Sequence, residues 1–439
     1  MSDFEKDQFQ KHPHLKFESL QKATKGAAKD LLATHAWSHT LIFAGPGGNG
    51  ADGFGLARLL KEAGWDPLVV YTESTSEFRE KMAMSALSYG VSLLPLKQFL
   101  EHFHWKELSW SLIIDGFLGI QAKGNLNPDI QQALEWANNQ NSYRIALDCP
   151  TGWQSPRETV FKASLTYCFH TVKKELLSRE VRPFCCHFKV IDVGFKDPCL
   201  GPQIFTGNPS EVLPKADPTW HKYKRGSVYL GVGSALYTGS AKLAEEALWH
   251  HYPHLGPLAG MVYTLTPPSC AQSVLWDLSP CKGKPNALVI GSGMSVKNEY
   301  LPRLFDIASD VETAVLDAAA LDYIKAHPQT LKNLKAPNIV LTPHEGEARR
   351  LLAADQTVNF EELCLLAKQF AQTNKVWFLL KSYVSYLWGP EGQYWIEPFA
   401  EASLAVAGSG DKLAALIGAT SLHLPIEKAI LVACRLQVT

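Results

Sequence analysis

The sequence predicts an α/β protein of two parallel-sheet domains, and three observations carry that expectation. Short runs rich in β-branched and aromatic residues alternate with helix-patterned stretches along the chain, the rhythm of strands joined by crossover helices. A segment with three prolines, Gly207 to Pro218, interrupts that rhythm, which resumes beyond it. At 439 residues the chain exceeds what one core ordinarily fills, so two domains of roughly 200 residues each follow. The cut is placed near residue 213, giving domains 1–213 and 214–439.

In the first half, strands are expected at Thr40–Ala44, Pro67–Tyr71, Ser111–Asp115, Arg144–Asp148 and from about Leu165 to His170. Three of them run into loops with chemistry. Thr40–Ala44 is followed by Gly45-Pro-Gly-Gly-Asn49-Gly50-Ala-Asp52, and Asp52 is expected to begin a helix with apolar spacing at Phe54, Leu56, Ala57, Leu59 and Leu60. A glycine turn between strand and helix lets the backbone approach a phosphate and aims free N–H groups at it. Asp115 and Asp148 each close a strand at its C-terminal end, the edge where open α/β sheets bind ligands.

In the second half, strands are expected at Ser227–Val232, Gly260–Leu265, Ala287–Gly291, Ala314–Asp317, Asn338–Thr342 and Val376–Lys381. Their ends supply Gly291-Ser-Gly293, Asp317, Thr342-Pro-His344 and Lys381, and the series finishes at Gly408-Ser-Gly410-Asp411 before an apolar helix. Taken singly these are ordinary: glycines turn chains, and His344 or Asp317 could cap a helix. Their recurrence at successive strand ends is how a kinase-like α/β site is assembled, with the glycine turn as phosphate cradle and Asp411 as the base at its lip.

Composition narrows the function classes. Hydrophobic residues make up 46% and charged residues 19%, and the formal net charge is −1, so there is no electrostatic footprint for nucleic acid or an anionic membrane. The start, Met1-Ser-Asp-Phe-Glu-Lys-Asp, is polar and acidic where a signal peptide would be basic and then apolar, and no apolar run reaches spanning length. A cytoplasmic protein is expected, and its oligomeric state stays open, a homo-oligomer included. Nine cysteines without a CxxC pair argue against a disulfide framework. Adjacent Cys185 and Cys186 with His187 suit a single zinc badly, and the pairs His12/His14 and His102/His104 read as surface histidines.

The ordered motifs also resemble two known families. His221 to Gly239, Gly291-Ser-Gly293, Val315-Leu-Asp317, Leu341-Thr-Pro-His-Glu-Gly-Glu347 and Gly408-Ser-Gly-Asp411 look like the nucleotide-dependent NAD(P)HX dehydratases over about residues 220 to 425. That resemblance implies a ribokinase-like α/β domain acting on hydrated NADH or NADPH, with ADP or ATP, accompanied by Mg2+, supplying a phosphoryl group to the ring hydroxyl. It makes Asp411 the base, has Gly408 and Gly410 stabilise developing charge, and has Gly293 and His344 hold the hydrate. Lys381, Ser382, Tyr383, Val384 and Ser385 match the stretch that contacts nucleotide, with Ser382 standing where the family has Gly.

Gly48-Asn49-Gly50-Ala51-Asp52, Ile114-Asp115-Gly-Phe-Leu-Gly119 and Leu147-Asp148-Cys-Pro-Thr151 resemble the NAD(P)HX epimerases over roughly residues 20 to 200. This implies a Rossmann-like three-layer domain in which Asn49, Asp115 and Thr151 hold K+ and Asp148 is the acid/base group. Asn49, Gly50 and Asp52 would bind the hydrate, with the loop Gly119 to Gly124 closing on it. An amide, a carboxylate and a hydroxyl suit a hard monovalent cation. Lys173 resembles the Lys of a Pro-Lys motif but lacks the Pro.

The sequence therefore points to a bifunctional repair enzyme for the small molecules NADHX and NADPHX. Two alternatives remain open: a dehydratase beside a non-catalytic N-terminal domain, and a ribokinase-like small-molecule kinase, since the Gly-Ser-Gly-Asp turn serves both chemistries.

Overall fold

The computed structural model describes residues 14–34, 37, 39–101, 108–120, 122, 124–154, 159–178, 180–194, 203–205, 207–250, 252, 256–265, 286–398 and 402–437. His12, His102 and His104 lie outside the described residues, as does the side chain of His14. The chain divides into two compact units, 1–200 and 201–439. The division falls before the expected cut near residue 213 because Gln203–Ile204 already pair into the second sheet.

In the first unit, a helix His14–Thr34 (α1) precedes Thr40–Ala44 (β1), Gly48–Glu62 (α2), Leu68–Tyr71 (β2), Glu77–Ser88 (α3) and Ser92–Pro95 (β3). Then come Leu112–Gly116 (β4), Tyr143–Leu147 (β5), Ala163–Phe169 (β6) and Cys185–Ile191 (β7). The sheet is parallel throughout and ordered β3-β2-β1-β4-β5-β6-β7. All five residues of β1 are buried, as a strand covered on both faces requires. Alternation divides them: Ile42 and Ala44 join one core with Leu56, Ala57 and Leu60 of α2, while Leu41 and Phe43 join another with Phe99 and Leu134. Each such apolar side chain contributes about 1.5–3 kcal/mol when buried. Chain order reverses between β1 and β4, which places the topological switch point, and so the ligand crevice, at the glycine turn after β1.

The expected strands of this unit are all present, and β3 and β7 add to them. Within β7, Cys185 is buried and Cys186 exposed, so neighbouring thiols face opposite sides of the strand.

The second unit begins with Gln203–Ile204 (β8) and continues with Ser227–Gly231 (β9), Thr238–Trp249 (α4), Met261–Thr264 (β10), Asn286–Ile290 (β11), Thr313–Leu316 (β12) and Asn338–Leu341 (β13). It ends with Glu345–Leu351 (α5), Trp377–Leu380 (β14), Ser385–Trp388 (β15), Tyr394–Glu397 (β16), Ser409–Thr420 (α6) and Ile426–Leu436 (α7). The sheet order is β10-β9-β11-β12-β13-β14-β15-β16-β8, with β9 to β14 parallel and β15 and β16 forming an antiparallel hairpin at one side. Helix α6 is buried along most of its length and packs its Leu413, Leu416 and Ile417 on Val228, Leu230 and Val289. Gly418 permits close approach there: a Cβ on it would meet Val289 Cγ2 at 3.1 Å. That packing fixes the start of α6, and with it Asp411, over the strand ends. Among the described residues no helix is long and apolar enough to cross a membrane.

Candidate active sites

In the first unit the glycine turn is built by backbone on backbone. Gly45 N–H donates to the Gly116 carbonyl at 3.0 Å, tying β1 to β4. A Cβ on Gly45 would lie 1.7 Å from Phe117 O, and one on Gly50 would lie 2.0 Å from Gly45 O, so both positions require glycine. Helix α2 starts at Gly48 with Gly47 as N-cap, so Asp52 lies inside the helix rather than at its beginning. Asn49, Asp52, Gly119, Asp148 and Lys173 line one cavity of about 390 Å³ at this edge. Gly124, at φ +87°, instead lines the adjoining cavity.

Asp148 follows β5 with φ +62°, a left-handed conformation that Asp tolerates better than most residues. Its Oδ1 lies 3.0 Å from Lys173 Nζ, and its Oδ2 accepts from Ile120 N at 3.3 Å. Lys173 is itself buried and donates to the Phe169 carbonyl at 2.6 Å. Burial works to raise the Asp148 pKa, but the Lys173 ammonium together with the Ile120 N–H and other positive charge outweighs it, and the carboxyl sits below its ordinary value. Lys173 is thus part of the site despite its missing Pro.

Beside this pair, Asn49 is 8% exposed, and neither Oδ1 nor Nδ2 finds a partner. An unsatisfied buried polar group costs about 1–3 kcal/mol, so this amide points to a ligand. Asp115 is fully buried, and its oxygens accept from Phe117 N at 3.1 Å, Thr151 N at 2.7 Å and Thr151 Oγ1 at 2.8 Å. Burial raises its pKa to about 6 against those hydrogen bonds. A buried carboxylate held by neutral donors, a hydroxyl and an orphaned amide oxygen are groups whose chemistry fits a monovalent cation.

In the second unit Asp317, at the end of β12, is a hub. Ser292 Oγ donates to its Oδ2 at 3.0 Å, Thr342 Oγ1 to its Oδ1 at 2.8 Å, and Lys381 Nζ to the same Oδ1 at 2.8 Å. Three strand-end motifs therefore meet on one buried carboxylate. The next residue, Ala318, is the N-cap position of the following helix, so Asp317 gathers loops and is not itself the cap. Lys381 N also donates to Pro343 O at 2.8 Å, joining its loop to the Thr-Pro-His segment.

Asp411 lies in the first turn of α6, whose N-cap Gly408 is left-handed at φ +92°. A Cβ on Gly408 would lie 2.3 Å from Leu243 Cδ1, and one on Gly410 would lie 3.3 Å from Lys381 Nζ. Burial raises the Asp411 pKa, a hydrogen bond with Ser240 opposes the rise, Asp317 adds to it, and Lys381 counters; the net shift is upward. Ser240 links a further motif: a Cβ on Gly293 would fall 2.3 Å from its Oγ. Lys381 holds its proton more tightly than usual, because Asp317 and Glu347 overcome burial that works the other way.

His344 caps α5 as the sequence allowed, its Nδ1 accepting from Gly346 N at 3.0 Å while Glu347 Oε2 accepts from His344 N at 2.9 Å. Its ring is largely exposed and free of the core. The stretch after Lys381 divides in role. Tyr383 packs on Phe360, the Val384 side chain is in the core, and Ser385 opens β15, while Lys381 is the member of the stretch bonded to Asp317. Ser240, Ser292 and Thr342 were not singled out as site residues by sequence, although each lies in or beside a motif.

Comparison with known proteins agrees with this division. Residues 18–175 match the family model of the YjeF-related protein N-terminus, and residues 258–437 match that of NAD(P)H-hydrate dehydratase. Among curated relatives, the bifunctional NAD(P)H-hydrate repair enzyme of Dictyoglomus turgidum is 24% identical over 87% of this chain and 79% of its own length. The enzyme of the same name from Coxiella burnetii is 26% identical over 92% of this chain and 85% of its own, and that of Escherichia coli 26% identical over 87% and 76%. Among solved structures, an ADP/ATP-dependent NAD(P)H-hydrate dehydratase of Bacillus subtilis, co-crystallised with ATP and Mg2+, is 24% identical, covering 52% of this chain and 83% of that one at a TM-score of 0.41.

Proposed function

We propose that this chain, which carries both domains of the bifunctional NAD(P)H-hydrate repair enzymes, interconverts the R and S forms of NADHX and NADPHX in its first domain and dehydrates the S form with ADP or ATP in its second. The observation that carries the reading is the assembly of separate strand-end segments round Asp317 and Asp411, with a second acid/base carboxylate, Asp148, in the first domain.

In the first domain Asp148 is the acid/base group at the hydrated ring carbon. Lys173 keeps it ionised and fixes the direction of Oδ1, and Ile120 N fixes Oδ2. The free N–H groups at the start of α2 suit the substrate diphosphate. Asn49, Asp115 and Thr151 would hold a potassium ion, which when bound adds positive charge beside substrate oxygens.

In the second domain Asp411 accepts the proton of the C6 hydroxyl as that oxygen bonds to the terminal phosphorus and the nucleotide leaves. Departure of that phosphoryl group as inorganic phosphate then breaks the C6–O bond, and loss of a C5 proton restores the C5–C6 double bond of the dihydronicotinamide. Backbone N–H groups at Gly408 to Gly410 stabilise charge on the transferring group, and the nucleotide brings Mg2+ with it. A carboxylate with raised proton affinity accepts a hydroxyl proton more readily than an ordinary one.

The test supplies an R/S mixture of NADHX with ADP or ATP and follows the absorbance of the reduced nicotinamide. Full recovery beyond the spontaneous rate requires both activities, and exchanging potassium for choline should slow only the R fraction. Recovery that stops at the S fraction removes the epimerase, and recovery with neither nucleotide removes the dehydratase.

A further inference from the structure

A second cavity, of about 600 Å³, adjoins the acid/base cavity of the first domain, and the two share Pro46, Leu118 and Ala122 as walls. We propose that this larger cavity takes the adenosine half of the dinucleotide hydrate, and that Glu73 in its wall makes the first domain selective for the hydrate lacking a 2′-phosphate. The inference rests on reading that domain as an epimerase of dinucleotide hydrates.

The reacting ring must lie beside Asp148 and Lys173, so it occupies the smaller cavity. The buried, unpartnered amide of Asn49 faces that same cavity, at the first turn of α2. A diphosphate seated on the glycine turn at Pro46 and Gly47 then leaves the second nucleotide one direction to run, past Pro46 into the larger cavity. β2 lies directly beside β1, paired from Leu41–Leu68 to Ala44–Tyr71, so the next ribose falls over the C-terminal end of β2. Tyr71, Thr72 and Glu73 form that end, and all three line the cavity. In open sheets of this strand order an acid at this place bonds the ribose hydroxyls.

The turn and this strand end are held as one unit. Arg79 of α3 is 1% exposed, and its guanidinium donates to Gly45 O at 3.3 Å and Thr72 O at 2.5 Å while lying over the rings of Phe54 and Tyr71. A buried cation joining the ends of β1 and β2 fixes the position of Glu73 relative to the glycine turn.

Charge decides the selectivity. Among the described residues the cavity wall carries Glu73 and Asp129 against Lys97, so acids outnumber bases there, where a 2′-phosphate would add up to two more negative charges. A vicinal diol, in contrast, can donate to Glu73. Repulsion between like unit charges a few ångströms apart at a partly solvated site translates to a preference of about tenfold.

The test measures R-to-S interconversion of NADHX and of NADPHX by chromatography, without nucleotide, in the full chain and in Glu73→Gln. Glu73 is exposed, so this change leaves the fold intact. The expected result is a preference of about tenfold for NADHX in the parent that narrows in the variant, chiefly because NADPHX improves. Equal turnover of both hydrates, or a ratio unchanged in Glu73→Gln, overturns the inference. If neither hydrate is interconverted, the epimerase reading fails instead. Titration with ADP-ribose and 2′-phospho-ADP-ribose then decides on the cavity: a preference for ADP-ribose that Glu73→Gln narrows supports it, and equal binding by parent and variant sinks it.

Discussion

Asp148 and Asp411 sit at equivalent places, each beyond the C-terminal edge of a run of parallel strands, yet their surroundings drive them in opposite directions. Asp148 has a lysine of its own at 3.0 Å and is held below the ordinary carboxylate range. Asp411 shares Lys381 with Asp317, which holds that ammonium at 2.8 Å, and burial leaves Asp411 above the range. The base strength of a carboxylate is therefore set by whether a neighbouring cation is already committed elsewhere. The first arrangement suits a group that must stay ionised between two half-reactions, the second a group that must take a proton from a hydroxyl.

The largest effects come from exchanging each acid separately. Asp148→Asn keeps a residue that accepts positive φ and should lower epimerisation by roughly 10²–10⁴-fold while S-form dehydration persists. Asp411→Asn should do the reverse to a similar degree. Stopped-time chromatography of R, S and product species reads both arms at once. Loss of both activities in either variant with unchanged circular dichroism would break the division of labour between the domains.

A smaller change should make the two sites alike. Lys173→Met removes the cation and leaves burial opposed by the Ile120 N–H, so the Asp148 pKa should rise and the acid limb of the epimerisation profile should move to higher pH. In the parent, that limb should lie below the acid limb of dehydration. The sign for stability follows from linkage: the depressed Asp148 contributes stability above the ordinary value near 4, which is lost as pH falls through its folded value. For Asp411 the raised value has the opposite sense, and stability declines as pH rises from about 4 to that value. A limb that does not move in Lys173→Met, with Lys173→Arg indistinguishable from it, would assign Lys173 a packing role only.

Why the sequence showed Asp148 and Asp411 but gave Lys173 little weight is a matter of distance along the chain. Each acid sits in a run of glycines or at a strand end, and those local patterns are readable. The Lys173 ammonium reaches Asp148 only because β6 lies beside β5 in the sheet, and no spacing rule encodes that pairing. The same holds for Ser292 and Thr342, whose shared role appears when β11, β12 and β13 bring their ends together on Asp317. Central strands were legible because burial on both faces makes them continuous apolar runs. The strand β7 is buried only at its ends, Cys185 and Ile191, with Cys186 and Lys189 exposed between them, so it shows no clean apolar run, and the first residue of β15, Ser385, reads as the end of the nucleotide-contacting stretch.

The smallest expected effect concerns Ser382, where the resemblance calls for glycine. Ser382 has negative φ, unlike Asp148, so its backbone conformation needs no glycine and the side chain is tolerated. Ser382→Gly should then act mainly through the unfolded chain, costing about 0.5–1 kcal/mol and lowering the melting temperature of the second domain by a few degrees. Dehydration at saturating nucleotide should stay within about threefold of the parent, since the Asp317 and Lys381 pair that positions this bend is untouched. A large fall in KM for ADP or ATP in that variant would show that the hydroxymethyl group obstructs the nucleotide. The second site would then differ from the first in steric access as well as in the charge on its base.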